Sequence, residues 1–434
     1  MRFPSTLRHN GLSLDFKRDW PLVPPVQNAF LPAEAVVLLR QHGGPSPRCI
    51  VQKGDFVREG QLLGKAEAEG SSPVHAPIPG SIREIREVRL PSGGSSQAVV
   101  IVLQGTFSRL GKREEKYVWN SMSQNDILGS LRDRGVIEME GEGRPLGELL
   151  RTSRGPELLV LDCLAREPYL RTESTVLSER GAEVLEGFAI VRSVLAPERS
   201  LVALDSTERD LVASVRALLS DKKEAPDCFL FPPHYPEELR RRLVEAGALS
   251  KKASKAALFS ISPSTALAVY EAVVRAKPLV ERYVTVAGGA VKRPAVLKVR
   301  IGTPLGDLVE ECGGFLGAPE RLVLGGPLCG EPAYDLDMPV TKLTGAVIAL
   351  TREETNRGKR VPCIRCGRCV SVCPEGLNPE ALFRRIALNR EGEAVSLGLS
   401  RCSGCGACGY ICPSRIPLVE AFEMSKQHVE AKKR

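Results

Sequence analysis

The apolar positions of this chain change their pattern three times along its length. After a proline-punctuated start (Pro21, Pro24, Pro25), residues 31–105 carry short apolar runs cut by turn residues, as in Val51-Gln52-Lys53-Gly54-Asp55-Phe56-Val57 and Ala76-Pro77-Ile78-Pro79-Gly80-Ser81-Ile82. Runs this short, bounded by glycine and proline, predict strands joined by turns. Residues 106–122 are polar and charged, with Lys112-Arg113-Glu114-Glu115-Lys116 among them, and predict a linker. From about 123 to 275, helical periodicity alternates with apolar runs such as Leu158-Leu159-Val160-Leu161 and Ser200-Leu201-Val202-Ala203-Leu204, which predicts an α/β layer. A strand-rich stretch follows over 276–350, with turns at Gly288-Gly289 and Gly325-Gly326-Pro327.

Composition narrows the picture. A chain of 434 residues with 43% apolar content can bury a sizeable core, and its length suggests about three domains. The longest apolar runs, such as Ala98-Val99-Val100-Ile101-Val102-Leu103, fall far short of the roughly 20 residues that span a bilayer, so any membrane contact is expected to be peripheral. The first ten residues lack the apolar core and cleavage site of a secretory signal, and no export is expected. The net charge of +8 is modest, and no window interleaves basic and aromatic side chains as a nucleic-acid surface does. No nucleic-acid partner is expected. The basic surplus reads first as solvation and second as attraction for an acidic protein or an anionic lipid.

The chemistry is concentrated near the C-terminus. Of thirteen cysteines, eight fall in two runs, Cys363, Cys366, Cys369, Cys373 with Pro374 and Cys402, Cys405, Cys408, Cys412 with Pro413. Both have the form C-x2-C-x2-C-x3-C-P, and corresponding cysteines differ by a constant 39 positions, so one cluster-binding unit has been duplicated. Zinc sites usually show two separated C-x2-C pairs, whereas three thiols on a tight loop suit the corners of an iron–sulfur cube. Gly367, Gly404 and Gly406 permit the turns such a loop needs. In two-cluster ferredoxins the fourth cysteine ligates the other cluster. The motif therefore assigns Cys363, Cys366, Cys369 and Cys412 to one [4Fe–4S] cluster and Cys402, Cys405, Cys408 and Cys373 to a second. Two interlocked clusters form a short relay path, which favours electron transfer over a structural role. A reducing cytoplasm suits these thiols better than a disulfide scaffold. Cys49, Cys163, Cys228, Cys312 and Cys329 are scattered in apolar contexts and are expected to be buried small hydrophobes. The five histidines are dispersed, without ligand or triad spacing.

Several segments resemble known folds. Residues 31–105 resemble the barrel-sandwich hybrid of lipoyl and biotinyl domains, which carry a modified lysine on one hairpin. Here that hairpin reads Ala68-Glu69-Gly70-Ser71-Ser72-Pro73-Val74-His75, and without a lysine a packing role is expected. Residues 276–350 resemble a β-grasp (SLBB) domain. The whole order resembles the RnfC component of the Rnf electron-transport complex. Its matches include Gln41-His42-Gly43-Gly44, Glu167-Pro168-Tyr169-Leu170, Lys277-Pro278-Leu279-Val280-Glu281-Arg282 and Pro362-Cys363-Ile364-Arg365-Cys366. The resemblance implies a multidomain α/β and β fold. An N-terminal extension (1–30) precedes the barrel-sandwich hybrid (31–105) and the linker (106–122). A complex I flavin-subunit-like α/β domain (123–275), the SLBB domain (276–350) and a double [4Fe–4S] ferredoxin-like helical module (351–434) follow.

In that family the α/β domain binds FMN and takes a hydride from NADH. The family's glycine-rich loop, roughly G-V-V-G-M-G-G-A-G-F-P-T, stands here as Gly135-Val136-Ile137-Glu138-Met139-Glu140-Gly141-Glu142-Gly143-Arg144-Pro145-Leu146. Three carboxylates replace two glycines and an alanine where bare N–H groups should meet phosphate. Two like charges at about 4 Å repel by roughly 4 kcal/mol at an effective dielectric near 20. The segments Asp162-Cys163-Leu164-Ala165-Arg166 and Ile261-Ser262-Pro263-Ser264-Thr265 have also lost the family's asparagines. The expectation is therefore a relay without FMN or NAD and without NADH dehydrogenase activity. It would pass electrons from a ferredoxin or flavoprotein donor to a reductase or to Rnf-type membrane subunits, in the cytoplasm or on the cytoplasmic face of the inner membrane. The alternatives are an NADH-oxidising FMN subunit and a soluble donor to an amino-acid reductase, resembling the proline-reductase-associated (PrdC-like) branch.

Overall fold

The computed structural model describes residues 11–12, 14–17, 26–90, 93–104, 116–153, 155–220, 225–236, 238–355 and 358–431. Within them the short apolar runs of 31–105 form two antiparallel sheets. One orders the strands Glu34–Leu38, Ser95–Leu103, Gly80–Arg89 and Phe56–Val57, and the other orders Arg48–Cys49, Leu62–Lys65 and Val74–His75. Ala35 and Val37 enter the core between them with Val57, Leu63, Ile82 and Val99, while Val36 and Leu38 pack with Ala98 and Val100 on the other face. Burial on both faces explains why Ala98-Val99-Val100-Ile101 is continuously apolar instead of alternating.

The hairpin on which carriers display a lysine is held fast here. Residues 71–75 are all buried. The Gly70 N–H donates to the Glu148 carboxylate at 3.1 Å, and the Ser72 N–H donates to His42 Nε2 at 3.1 Å. Lys342, 1% exposed, reaches the same hairpin from the far side. Its Nζ donates to the Pro73 carbonyl at 2.8 Å, to the Gly135 carbonyl at 2.8 Å and to Ser72 Oγ at 3.3 Å, so three donors meet three oxygens.

The α/β layer has four parallel strands in the order Asp227–Phe231, Arg199–Asp205, Leu158–Asp162, Leu258–Ile261. Leu159 and Leu161 face the helices Thr172–Leu195 and Pro263–Val274, while Leu158 and Val160 face the other side with Leu239 and Leu243. The two helices approach so closely that a Cβ on Gly187 would lie 1.9 Å from the Ala266 carbonyl oxygen. Chain order runs outward from Leu158–Asp162 and then returns to its other side with Leu258–Ile261. Ligand crevices in such sheets open at this switch point, beyond the strands' C-terminal ends.

The third unit is a six-stranded sheet in which Glu281–Ala287 pairs antiparallel with Ala295–Arg300 and parallel with Ala346–Leu350. Arg321–Leu324 and Glu331–Pro332 complete one side. The opposite edge is Gln27–Asn28, so the stretch expected as an extension contributes a strand. Phe16 packs with Tyr235, Val372 and Ala407. Residues 1–10 and 18–25, and 106–115 of the expected linker, lie outside the described residues.

Burial lowers the Lys342 ammonium from 10.5 to about 7. Between those values the unfolded chain binds the extra proton, so this residue makes stability rise with pH above about 7. Chemical denaturation at pH 7 and pH 9 should show a gain for the wild type that exceeds that of Lys342→Met by roughly 2 kcal/mol. Equal gains in both proteins would mean the ammonium is not destabilised by its burial.

Candidate functional site

Both cysteine runs fold alike, a loop followed by a one-turn helix. The helices Arg368–Ser371 and Ala407–Tyr410 start after Gly367 and Gly406, whose φ angles of 74° and 77° are left-handed. The chain then leads from the first run into the helix Pro379–Ala387, capped by the Asn378 side chain, and from the second into Leu418–Ala431. Leu382, Ala394, Leu399 and Phe422 form the core between the copies.

A cavity of about 240 Å³ is lined by Cys363, Cys366 and Cys369, with Cys412 from the second run. A narrower one of about 20 Å³ is lined by Cys402, Cys405 and Cys408, with Cys373 from the first. Phe383, Ile416 and Leu418 wall the first cavity, and Leu377, Leu382 and Phe422 wall the second. Among the described residues, no three His, Cys, Asp or Glu side chains converge as one ion requires. The thiols stand around a volume, with apolar walls, and this donor set suits a polynuclear iron–sulfide group. Burial raises the thiols of Cys369, Cys402 and Cys405, and burial with the neighbouring Cys405, Cys402 and Cys373 pushes Cys408 up to about 12. Metal must therefore displace protons from these sulfurs on binding. The Arg365 and Leu377 N–H groups donate to the sulfurs of Cys363 and Cys373 at 3.4 Å.

The surroundings of the two runs differ. Cys363 and Cys366 are exposed, whereas every cysteine of the second run is buried or half-buried. Tyr235 Oη donates to the Cys405 carbonyl, and Cys405, Ala407 and Ile411 pack with Leu12, Phe16 and Leu328. Leu328 is fixed by Glu167, whose buried carboxylate accepts from the Leu328 N–H at 2.6 Å and from the Cys329 thiol at 2.6 Å. Two expectations change here. Gly325-Gly326-Pro327 is more than a turn, since a Cβ on Gly326 would strike the Glu167 carboxyl at 2.1 Å. Cys329 is an exposed residue with a hydrogen-bonded thiol, not a buried hydrophobe.

At the switch point of the α/β sheet, the altered glycine loop folds back on itself, with Ile137 bridged to Pro145 and the Met139 N–H donating to Thr265 Oγ1 at 3.1 Å. Glu140 pairs with Arg166 at 2.6 Å, and Arg166 pairs with Asp162 at 2.8 Å. Burial pushes the Glu140 carboxyl up to about 7, against the pull of Arg166. Glu142 is exposed, so the three glutamates are not equivalent. Glu173 accepts from the Ser264 N–H at 2.8 Å and from Ser264 Oγ at 2.7 Å, while Ser262 caps the Thr265 N–H at 3.2 Å. The first N–H groups of Pro263–Val274, a natural anion seat, thus face the chain's own oxygens.

Known proteins match these parts in the same order. Residues 8–106 match the RnfC barrel sandwich hybrid domain, 131–255 the Nuo51 FMN-binding domain, 283–332 the SLBB domain and 362–416 the 4Fe-4S dicluster domain. The chain is 30% identical over 380 residues to the RnfC-type component of the proton-translocating ferredoxin:NAD(+) oxidoreductase complex of Clostridium ljungdahlii, covering 86% of this chain and 82% of that protein. The chain belongs to the RnfC family. A second member, from the ion-translocating oxidoreductase complex of Rhodobacter capsulatus, is 31% identical over 409 residues, or 92% of this chain and 79% of that one. Among solved structures, an NAD+-reducing [NiFe]-hydrogenase in the H2-reduced state aligns at 14% identity and a TM-score of 0.47, over 75% of this chain and 66% of that one. No helix of the described residues is long and apolar enough to cross a membrane.

The family's fold classes are thus those read from the sequence, but several residues that shape the site gave no sequence signal. Lys342 is a single lysine in an ordinary turn, and Glu173 sits in an ordinary helix start. Seating of the second run adds a testable contrast between duplicated positions. A Cβ on Gly367 would meet nothing within 4 Å, while one on Gly406 would lie 2.4 Å from the Leu328 carbonyl oxygen. Both alanine variants bear a left-handed backbone cost of about 1–2 kcal/mol. Gly406→Ala should lose about 1–3 kcal/mol more from the clash. Denaturant unfolding of the pair checks this; equal losses would mean that the module is not seated as described.

Proposed function

We propose that this chain is an Rnf-type electron relay that holds two [4Fe–4S] clusters and no flavin. Cys363, Cys366, Cys369 and Cys412 would hold one cluster, and Cys402, Cys405, Cys408 and Cys373 the other. The observation that carries this reading is the exchange of fourth cysteines, Cys412 and Cys373 each lining the cavity of the opposite run. Such a group, once bound, supplies one-electron chemistry. The chain's own residues keep both sites in one small apolar core, donate backbone N–H groups to sulfur, and seat the second run against the rest of the protein through Tyr235 and Leu328.

The flavin crevice does not fit a phosphate. Glu173 engages the helix N-terminus at Pro263–Val274, and Glu140, Arg166 and Asp162 form their own ion-pair cluster. An incoming anion would have to displace Glu173 and stand near Glu140 and Glu138. Such charge repulsion costs more in a partly buried crevice than in water. We therefore derive no hydride step through FMN or NADH. One observation favours the opposite reading, an FMN-dependent NADH oxidase: residues 131–255 match an FMN-binding domain at the sheet's switch point. In the favoured reading the donor and acceptor are other redox proteins, among them Rnf-type membrane subunits. The chain would lie in the cytoplasm or peripherally on the inner membrane.

Two outcomes test the relay. Anaerobically reconstituted protein should bind about eight irons, two cubes of four, and should be bleached by a low-potential reductant. Protein that holds this iron but accepts no electron from any such donor would end the proposal. Cys369→Ala should lose about half the iron and alter the spectrum of the rest, because the two sites share one core and exchange ligands. Unchanged iron and unchanged spectra would contradict the ligand assignment.

A further inference from the structure

We propose that the face over Cys363–Cys369 is the docking surface for an acidic one-electron carrier protein. The inference rests on the relay reading above and adds where a partner binds and what charge it bears. Its basis is an asymmetry between two duplicated loops.

Residues 39 apart are equivalent in the two runs, so each difference between them is a change made in one copy. Where the second run has Ser403, Gly404, Ala407 and Gly409, the first has Ile364, Arg365, Arg368 and Val370. The second run holds no charged residue between Cys402 and Cys412, and it is covered by Tyr235 and Leu328. In the first, every residue from 358 to 368 is exposed. Ile364 is 65% exposed and Val361 46%. Four cations, Lys359, Arg360, Arg365 and Arg368, fall in this stretch with no carboxylate among them. Glu380, the acid that lines the cavity, is engaged by Arg384 at 3.8 Å.

Arg365 adds an independent observation. Its φ is +55°, left-handed like the +71° of its equivalent Gly404. An L side chain in that conformation costs roughly 1–2 kcal/mol, which glycine avoids. A strained arginine kept on the open loop, where the duplicate has the unstrained residue, points to a function for its charge.

An apolar centre in Ile364 and Val361, ringed by cations and lying directly over exposed ligand thiols, matches a protein partner with an acidic rim. One electron would pass per encounter, oxidising the carrier as the chain is reduced, with no atom transferred. The covered second run would face inward, so partners would meet the chain at the first.

The test uses the full reconstituted chain and an acidic ferredoxin as probe. Calorimetric titration with the oxidised ferredoxin reads association alone, and stopped-flow mixing with the reduced form reads transfer. Binding should weaken roughly tenfold or more from low to high salt and again in Arg365→Glu/Arg368→Glu. Reduction by dithionite, a small reductant that needs no docking face, should be unchanged in that variant. Since both arginines lie between ligand cysteines, Lys359→Glu, outside the ligand loop, gives a second reading and should weaken binding in the same direction. Binding that ignores salt and both charge reversals would overturn the proposal. So would binding to phosphatidylglycerol vesicles through these arginines with none to ferredoxin, which would assign the face to the membrane. Failure of dithionite to reduce the wild type, with ferredoxin binding intact and charge-dependent, would remove the relay reading and leave the docking face standing.

Discussion

The buried ammonium of Lys342 is the contact on which the arrangement of the parts depends. It leaves a turn of the grasp sheet and ends among oxygens of the barrel-sandwich hairpin and of the first residue of the altered glycine loop. Its own N–H is held by Gln41 Oε1 at 2.9 Å, so the residue is tied at both ends to the first unit. An ammonium enclosed in this way is costly unless every proton has an acceptor, and here each has one. Geometry that demanding fixes relative position: the hairpin tip, the loop and the sheet cannot shift independently. Nearby, Arg300 pairs with Glu59 at 2.7 Å and with Glu281 at 3.2 Å, a second charged tie between the same two units.

That frame has one consequence at the crevice and another at the C-terminus. At the crevice, the scaffold of a flavin domain persists while its anion seat is engaged from within, by Glu173 at the helix start and by the Glu140–Arg166–Asp162 cluster. The substituted glutamates are thus neutralised in part by an arginine from the neighbouring strand end. At the C-terminus, Glu167 holds Leu328 and Cys329, and Leu328 in turn meets Gly406 on the covered cysteine run. Glu167 belongs to the Glu-Pro-Tyr-Leu segment beside the crevice. One short stretch of chain therefore links the flavin-domain crevice to the inner cysteine run by direct contact, whatever the crevice itself binds.

Much of this was legible in the sequence because the governing signals are local. Cysteine spacing and the 39-residue offset depend only on a short loop geometry repeated twice, and the sandwich strands show as short apolar runs between turn residues. The missing lysine at Ala68–His75 likewise separates a packing hairpin from a swinging one. The rest depends on contacts between residues far apart in the chain. Nothing in the vicinity of Lys342 predicts that it crosses to Pro73, 269 positions away, or that Gln27–Asn28 extends the grasp sheet. Cys329 reads as apolar filler until Glu167, 162 positions earlier, is seen against it. The charge asymmetry of the cysteine loops was visible as letters, but its meaning needed the exposure of one copy and the burial of the other.

If the cysteine runs hold the redox centres of this chain and its flavin crevice holds none, one anaerobically purified sample can show both. Iron and acid-labile sulfide are measured beside the flavin released on denaturation. About eight irons per chain, the content of two four-iron cubes, and no flavin are expected. One equivalent of FMN per chain would contradict this, because the carboxylates at the crevice would then have failed to exclude the phosphate.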